Sequence, residues 1–189
     1  MTPTPRQSYL QFHVPLDRRA QWYRDLTSAI FGVREAKWQS GFFHITAAFI
    51  NDKIDIPEAE DVADILDEVL TGTTAPVIAF DTVDAFTTQG GGTHVVYLTA
   101  SKVPDEWKAL VDKIRSTLKH RGYRLGPYQL HVTLARIPSG SIDLESLRER
   151  IAEVDIPAFS LTLATADYRF YREFKHAVRE WTLPDNLSR

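Results

Sequence analysis

Two short apolar segments with the same internal pattern constrain the fold of this chain most strongly. The segments read FFHITAAFI and LHVTLARI, and each has the β-branched and aromatic composition of a strand. Each also contains a histidine and, two residues later, a threonine. Because the side chains of a strand alternate between its two faces, His44 and Thr46 share one face, and so do His131 and Thr133. The pattern therefore predicts two strands that each present the same polar pair.

The elements around the two segments repeat as well. The two histidines lie 87 residues apart, and the strands and amphipathic helices around them recur at a similar offset. This spacing predicts an internal duplication with copies at about 9–86 and 94–166, followed by a C-terminal hairpin at 167–184. No low-complexity linker separates the copies. We therefore expect residues 1–189 to form a single domain with two lobes packed on one cleft.

Hydrophobic spacing and turn residues predict the individual elements. Asp17 and Asp143 are expected to cap helices, and Gln89–Thr93 is expected to form a glycine-rich hairpin turn. The predicted helices are one that starts at Asp17, then Glu58–Leu70, Asp105–His120 and a short one from Asp143 to Val154. The predicted strands are Tyr9–Val14, one within Trp38–Ile50, Val77–Phe86, His94–Ala100, Leu130–Ile137 and Phe159–Ala166, followed by the hairpin Tyr168–Phe174 and Val178–Leu183.

The paired histidines suggest acid–base chemistry. A histidine on the inner face of an apolar strand has an energetic cost unless it is hydrogen-bonded or faces a wet cleft, and here the arrangement occurs twice. Imidazole titrates near pH ~6.5, so one histidine can accept a proton while the other donates one. The hydroxyls of Thr46 and Thr133 can donate hydrogen bonds to phosphate oxygens. This scheme suits the opening of a cyclic phosphodiester and needs no metal and no cofactor.

The two triplets fit the pattern His-apolar-Thr/Ser-apolar, and on them the chain resembles the two-histidine (2H) phosphoesterase superfamily, in particular its 2′-5′ RNA ligase-like branch. The resemblance covers nearly the whole length. It implies a bilobal α+β fold with a pseudo-twofold axis, each lobe a mostly antiparallel sheet backed by helices. It also implies that His44 and His131 are the catalytic acid and base, and that Thr46 and Thr133 bind the phosphate. Ala47 departs from the family pattern, in which Leu is common.

Other residues are candidates for substrate binding. Arg136 follows the second triplet as in many relatives, but by simple alternation it points away from His131 unless the strand bulges. Phe49 resembles a position used to stack a base, and it could equally be a core residue. Tyr128 could border the cleft. So could Tyr168, Arg169 and Tyr171 of the tail, although an ordinary place on a surface hairpin is the simpler interpretation for these three.

Composition narrows the classes of protein. The chain has no cysteine, which excludes disulfides and thiolate chemistry, and its net charge of −3 disfavours a protein that coats long nucleic acid. The N-terminal sequence does not resemble a signal peptide, and no run of residues is apolar enough for a membrane span. We expect a cytoplasmic, monomeric protein that acts on a nucleotide or a short RNA.

The residues leave several alternatives open. The substrate could be a 2′,3′-cyclic phosphate on an RNA end or on a nucleotide, or a 2′-5′ linkage that is either joined or split. A module that binds a nucleotide or phosphorylated metabolite without turnover is the main competitor. A metalloenzyme is disfavoured, because the histidines lack the spacing and the flanking carboxylates of a metal site. The sequence does not assign acid and base between the two histidines.

Overall fold

The computed structural model describes residues 3–186, and within them it contains ten strands and four helices. The helices are α1 (Gln21–Ala29), α2 (Ile56–Leu70), α3 (Asp105–His120) and α4 (Leu144–Ala152). The strands are β1 (Arg6–Val14), β2 (Lys37–Trp38), β3 (Phe43–Ile54), β4 (Val77–Phe80), β5 (Thr82–Thr87), β6 (Thr93–Thr99), β7 (Val132–Pro138), β8 (Phe159–Thr162), β9 (Thr165–Phe170) and β10 (Arg179–Thr182).

Two four-stranded antiparallel sheets carry the two histidine motifs. The first sheet has the order β10-β9-β1-β3, and His44 lies in β3. The second has the order β2-β7-β6-β5, and His131 directly precedes β7. A small third sheet pairs β4 with β8. Strand β3 contacts β7, so the two large sheets meet along the strands that carry the motifs. This architecture confirms the predicted α+β class.

The helices cover the sheets in pairs. Helices α2 and α3 pack against each other, and α3 packs against β3 of the first sheet. Helix α4 packs against β5 of the second sheet, and α1 contacts α4. In α3, Trp107 is fully buried and its ring meets Phe12 of β1 edge-on, with 5.0 Å between the ring centroids. Each helix thus removes its apolar stripe from water, which is the main contribution to the stability of the fold.

Of the two predicted helix caps, the structure contains one. Asp143 accepts a hydrogen bond from the Ser146 amide at 2.9 Å and starts α4, as predicted. The prediction for Asp17 is wrong. Its carboxylate accepts a hydrogen bond from the Arg19 amide in a preceding turn, and α1 begins at Gln21 without a side-chain cap.

Two predicted strands are each divided between two sheets. The segment 77–86 forms β4 and β5, with a break at Asp81, whose carboxylate accepts hydrogen bonds from the amide and hydroxyl of Ser101. The segment 159–166 forms β8 and the start of β9. As a result β5 joins the second sheet and β9 joins the first, so each large sheet contains strands from both halves of the chain.

Candidate active site

A bulge in β3 places three side chains of the first motif on one face. The pairing of β3 with β1 passes over Ala47, and both Ala47 and Ala48 are buried. The alternation of faces therefore skips one position. His44 and Thr46 before the bulge and Phe49 after it are partly exposed and lie on the same side of the strand.

The second motif has its bulge at the equivalent position. The pairing of β7 with β6 passes over Leu134, and Leu134 and Ala135 are both buried. Thr133 precedes the bulge and Arg136 follows it, so the exposed Arg136 side chain turns to the face of His131 and Thr133. From the sequence, Arg136 is expected to reach the cleft only if its strand bulges. The structure contains this bulge.

A cavity of about 560 Å³ opens between the two large sheets. It brings His44, Thr46, Phe49 and Arg136 together. His131 and Thr133 do not line this cavity, but His131 is close enough to act electrostatically on His44. The complete lining is Tyr9, Gln39, His44, Thr46, Phe49, Arg136, Tyr171, Arg172 and Phe174.

Both motif histidines have a lowered pKa. Burial lowers the pKa of His44 below its usual 6.5, because the imidazolium loses hydration. A hydrogen bond with the Phe42 carbonyl opposes this shift, whereas the nearby ring of His131 adds to it. Burial also lowers the pKa of His131; a hydrogen bond with the Gln129 carbonyl opposes that shift and the charge of Arg136 adds to it.

Each motif histidine lies near the carbonyl two residues earlier in the chain. Nδ1 of His131 lies 3.0 Å from the carbonyl oxygen of Gln129. The carbonyl of Phe42 is close enough to His44 to raise its pKa. A carbonyl can only accept, so the Nδ1 of His131 is the donor and its neutral ring leaves Nε2 free to take a proton. The lowered pKa and the held ring are suited to acid–base work near neutral pH.

Some predicted candidates lie elsewhere. The hydroxyl of Tyr128 accepts a hydrogen bond from the Trp107 indole at 2.6 Å, and Tyr128 does not line the cavity. Tyr168 is fully buried and donates to Ser8 at 2.7 Å, which removes it from the cleft. Tyr171 does line the cavity. Arg169 donates to Asp167 at 2.6 Å.

A group of buried polar residues beside His44 is not evident from the sequence. Asp167 is fully buried and is hydrogen-bonded to Gln11, His13 and Arg169. The sequence favours a structural or solvated role for His13, because a lone histidine at a strand end carries no motif. Its partner Asp167 is distant in the chain, so only the sheet pairing reveals the group.

Two features are absent from the part of the chain that the structure describes. Between residues 3 and 186, no three or more His, Cys, Asp or Glu side chains are grouped so that they could hold a metal ion. In the same range, no helix has the length and apolar character needed to cross a membrane.

Known proteins are similar to this chain in sequence or in fold. A family model described as the 2′-5′ RNA ligase superfamily matches residues 36–162, which is more than half of the chain. No curated protein matches the sequence.

Solved structures share the fold at low sequence identity. E. coli LigT in complex with NADP+ has 16% identity and a TM-score of 0.59, over 97% of this chain and 100% of that one. E. coli LigT with 3′-AMP has 16% identity and a TM-score of 0.60, over 96% and 99%. Kluyveromyces marxianus Usb1 with uridine monophosphate has 10% identity and a TM-score of 0.65, over 95% and 98%. At these identities the likeness shows the fold alone.

Proposed function

Because the chain belongs to the 2′-5′ RNA ligase superfamily, whose members are two-histidine phosphoesterases, we propose that it opens a 2′,3′-cyclic phosphodiester on a nucleotide or RNA end. One observation carries the proposal. His44 and His131 occupy equivalent positions before the bulges of β3 and β7, and His131 is close enough to His44 to lower its pKa. The nucleotides bound by LigT and Usb1 support a nucleotide as the substrate.

The proposed reaction is the hydrolysis of one phosphorus–oxygen bond. One neutral histidine removes a proton from the attacking water as the oxygen of that water bonds to phosphorus. The other, protonated histidine gives its proton to the ribose oxygen that leaves, and each transfer typically contributes ~10²–10⁴-fold to the rate. The hydroxyls of Thr46 and Thr133 donate to the non-bridging oxygens, on which charge grows in the transition state. Proton exchange with solvent restores both histidines.

Residues on the rim of the cavity supply the remaining contacts. Phe49 and Tyr9 have nearly parallel rings, 6.2 Å apart, and the edge of Tyr171 approaches Phe49 at 5.6 Å. These rings offer a surface on which a base can stack, an interaction worth ~1–3 kcal/mol. Arg136 offers a positive charge for the phosphate. The expected monomeric state, cytoplasmic location and independence of metal stay predictions.

The test compares wild type with His44→Ala and His131→Ala on nucleoside 2′,3′-cyclic monophosphates in EDTA, with products separated by chromatography. We expect wild-type turnover and a loss of ~10²-fold or more in each variant. His120→Ala is the matched control, because His120 is an exposed residue at the end of α3. Turnover that survives either substitution would contradict the two-histidine mechanism. Binding without turnover by folded wild type would instead favour a nucleotide-binding module.

A further inference from the structure

The carboxylate of Asp167 is fully buried at the centre of a hydrogen-bonded group. It accepts hydrogen bonds from Gln11 Nε2 at 3.1 Å and from Arg169 Nε at 2.6 Å, and it is in close contact with Nε2 of His13. Burial alone would raise the pKa of Asp167, but the hydrogen bonds from His13, Arg169 and Gln11 bring it down to about 2. The carboxylate of Asp167 is therefore ionised at neutral pH.

Strand register brings this group next to the first histidine motif. His13 in β1 is the direct cross-strand partner of His44 in β3, and Gln11 is the partner of Thr46. On the other side of β1, Gln11 is the partner of Asp167 in β9. Directly opposed residues of antiparallel strands project from the same face of a sheet. Asp167, Gln11 and His13 thus share a face with His44 and Thr46.

A second contact joins His13 to His44 through the backbone. The ring of His13 is stacked on Phe42, with 5.2 Å between centroids and 17° between planes. The carbonyl of Phe42 is close enough to His44 to raise its pKa. Asp167 holds His13, His13 packs on Phe42, and Phe42 orients His44. Loss of the carboxylate would therefore disturb the position of the catalytic ring as well as its charge environment.

The two motif histidines differ in the charges around them. The carboxylate of Asp167 raises the pKa of His44, whereas His131 lowers it by more and His13 lowers it by less. No carboxylate acts in this way on His131, where the neighbouring charge that shifts the pKa is the cation Arg136. The titratable and charged groups around His44 are Tyr9 and His13 from β1, Asp167 and Arg169 from β9, His131 and Arg136 from the second motif, and Tyr171 and Arg172 after β9.

We propose that Asp167 and His13 are positioning residues of the catalytic site, which hold the ring of His44 in place for its proton transfer. This assignment rests on the proposed function. In the hydrolytic step, one histidine takes the proton of the attacking water. The other gives its proton to the ribose oxygen as the bond from that oxygen to phosphorus breaks, so one proton enters the pair of histidines and one leaves it.

The experiment has a readout that needs no substrate. The titration of the His44 imidazole is followed by NMR in wild type, Asp167→Asn and His13→Asn, with the His44 signal assigned from its absence in His44→Ala. Asp167→Asn should lower the pKa of His44, because the raising charge is lost. His13→Asn should raise it, because His13 lowers the pKa of His44 in the wild type. His94→Asn is the control for loss of a buried histidine, since His94 bonds to Thr87 and Ile142 in the second sheet.

The same variants are then assayed on the cyclic phosphate. The limb of the kcat profile that reports the titration of His44 should move to lower pH in Asp167→Asn and to higher pH in His13→Asn. Asp167→Asn should also lose about tenfold or more in kcat from misplacement of His44. If Asp167 and His13 were only structural, both variants would lose activity, but the pKa of His44 would not shift in opposite directions.

Two results would overturn the proposal. One is a His44 titration that is the same in wild type and in every folded variant of the pair. The other is a kcat and a kcat profile that are the same in wild type and in folded Asp167→Asn, which would leave the carboxylate without influence on His44. If Asp167→Asn does not fold, the expected rise in His13→Asn decides alone. If wild type lacks turnover while the NMR shifts appear, the proposed function fails and the coupling of Asp167 to His44 stands.

Discussion

At the scale of single residues, the lowered pKa values of His44 and His131 determine how activity should depend on pH. Catalysis needs one ring neutral and the other protonated. With both pKa values below 6.5 in the free protein, this singly protonated form is most abundant on the acidic side of that value. The optimum of kcat/KM, which reports the free enzyme, should therefore lie below pH ~6.5.

The bound substrate should shift this optimum. A phosphodiester carries a negative charge, which favours the imidazolium forms of both rings and raises their pKa values. The optimum of kcat, which reports the enzyme–substrate complex, should lie at a higher pH than that of kcat/KM. Initial rates over a range of cyclic phosphate concentrations, at each pH from about 4.5 to 8.5, separate the two profiles. Identical profiles with an optimum above pH ~7.5 would contradict this account.

The sequence predicts part of the site, and the limit has a physical cause. His44, Thr46, His131 and Thr133 follow from a repeated local motif. The direction of Arg136 depends on a bulge, which arises from a pairing between strands that are distant in the chain. Other contributors come together only in the fold. Tyr9, Tyr171 and Asp167 belong to β1, to the segment after β9 and to β9, and no local pattern links them.

At the scale of elements, the connection between β2 and β3 controls the entry to the catalytic strand. Arg18 donates to the carbonyls of Gln39 and Gly41 at 3.0 and 2.6 Å, and its guanidinium lies 4.1 Å from the centre of the Phe43 ring. Gly41 has φ of +77°, a conformation that residues with a side chain rarely adopt. The connection ends at Phe42, whose carbonyl orients His44.

We expect Arg18→Leu to lower kcat/KM by about 3- to 30-fold, because a loosened connection misplaces the His44 ring, and catalysis is sensitive to displacements of ~1 Å. Arg19→Leu is a matched control, since the neighbouring Arg19 is equally exposed and its ion pair is with Asp17. That variant should stay within about twofold of wild type. Steady-state kinetics, with thermal denaturation to check folding, make the comparison. Equal losses in the two variants would count against the role of this connection.

The sequence predicts an element well when the hydrophobic pattern within the segment determines it. It predicts an element poorly when strands elsewhere in the chain determine where it ends. The helix predicted over Asp105–His120 is α3 itself, because its apolar stripe is complete within the segment. The segments 77–86 and 159–166 have the pattern of continuous apolar strands, yet each is divided between sheets. The apolar pattern of such a strand is compatible with pairing in either sheet. Only the contacts made by Asp81 and the pairing partners determine where one sheet ends.

At the scale of the whole molecule, the two motifs agree in more than sequence. In both, the fourth residue of the motif is the bulge, the histidine hydrogen-bonds to the carbonyl two residues earlier, and the sixth residue turns to the catalytic face. These correspondences support the internal duplication, which stays a prediction. The boundaries near 86 and 94 do not separate two sheets, because β5 and β9 each join the sheet of the other half.

The overall charge of −3 conceals a basic region beside the site. A second cavity, of about 350 Å³, shares Tyr171 and Arg172 with the catalytic cavity. It is also lined by Arg6 and Lys53, with Pro5 and Gln7, and none of these lining residues is acidic. A row of cations next to aromatic rings is typical of a surface that binds single-stranded nucleic acid. Net charge alone argued for small substrates, whereas this local distribution favours a short oligonucleotide.

The size of the substrate can be tested with variants that change this second cavity alone. The double variant Arg6→Gln/Lys53→Gln should raise KM about 5- to 10-fold for a trinucleotide that ends in a 2′,3′-cyclic phosphate. It should leave KM for the cyclic mononucleotide unchanged, because only the longer substrate carries phosphates that reach these cations. Arg150→Gln/Lys108→Gln removes the same charge from exposed helix positions and is the control. Removal of each cation that binds a phosphate should also reduce the slope of log affinity against log salt by ~0.7. An equal effect of both double variants, or the same effect on mononucleotide and trinucleotide, would show that the basic cavity contributes only general charge.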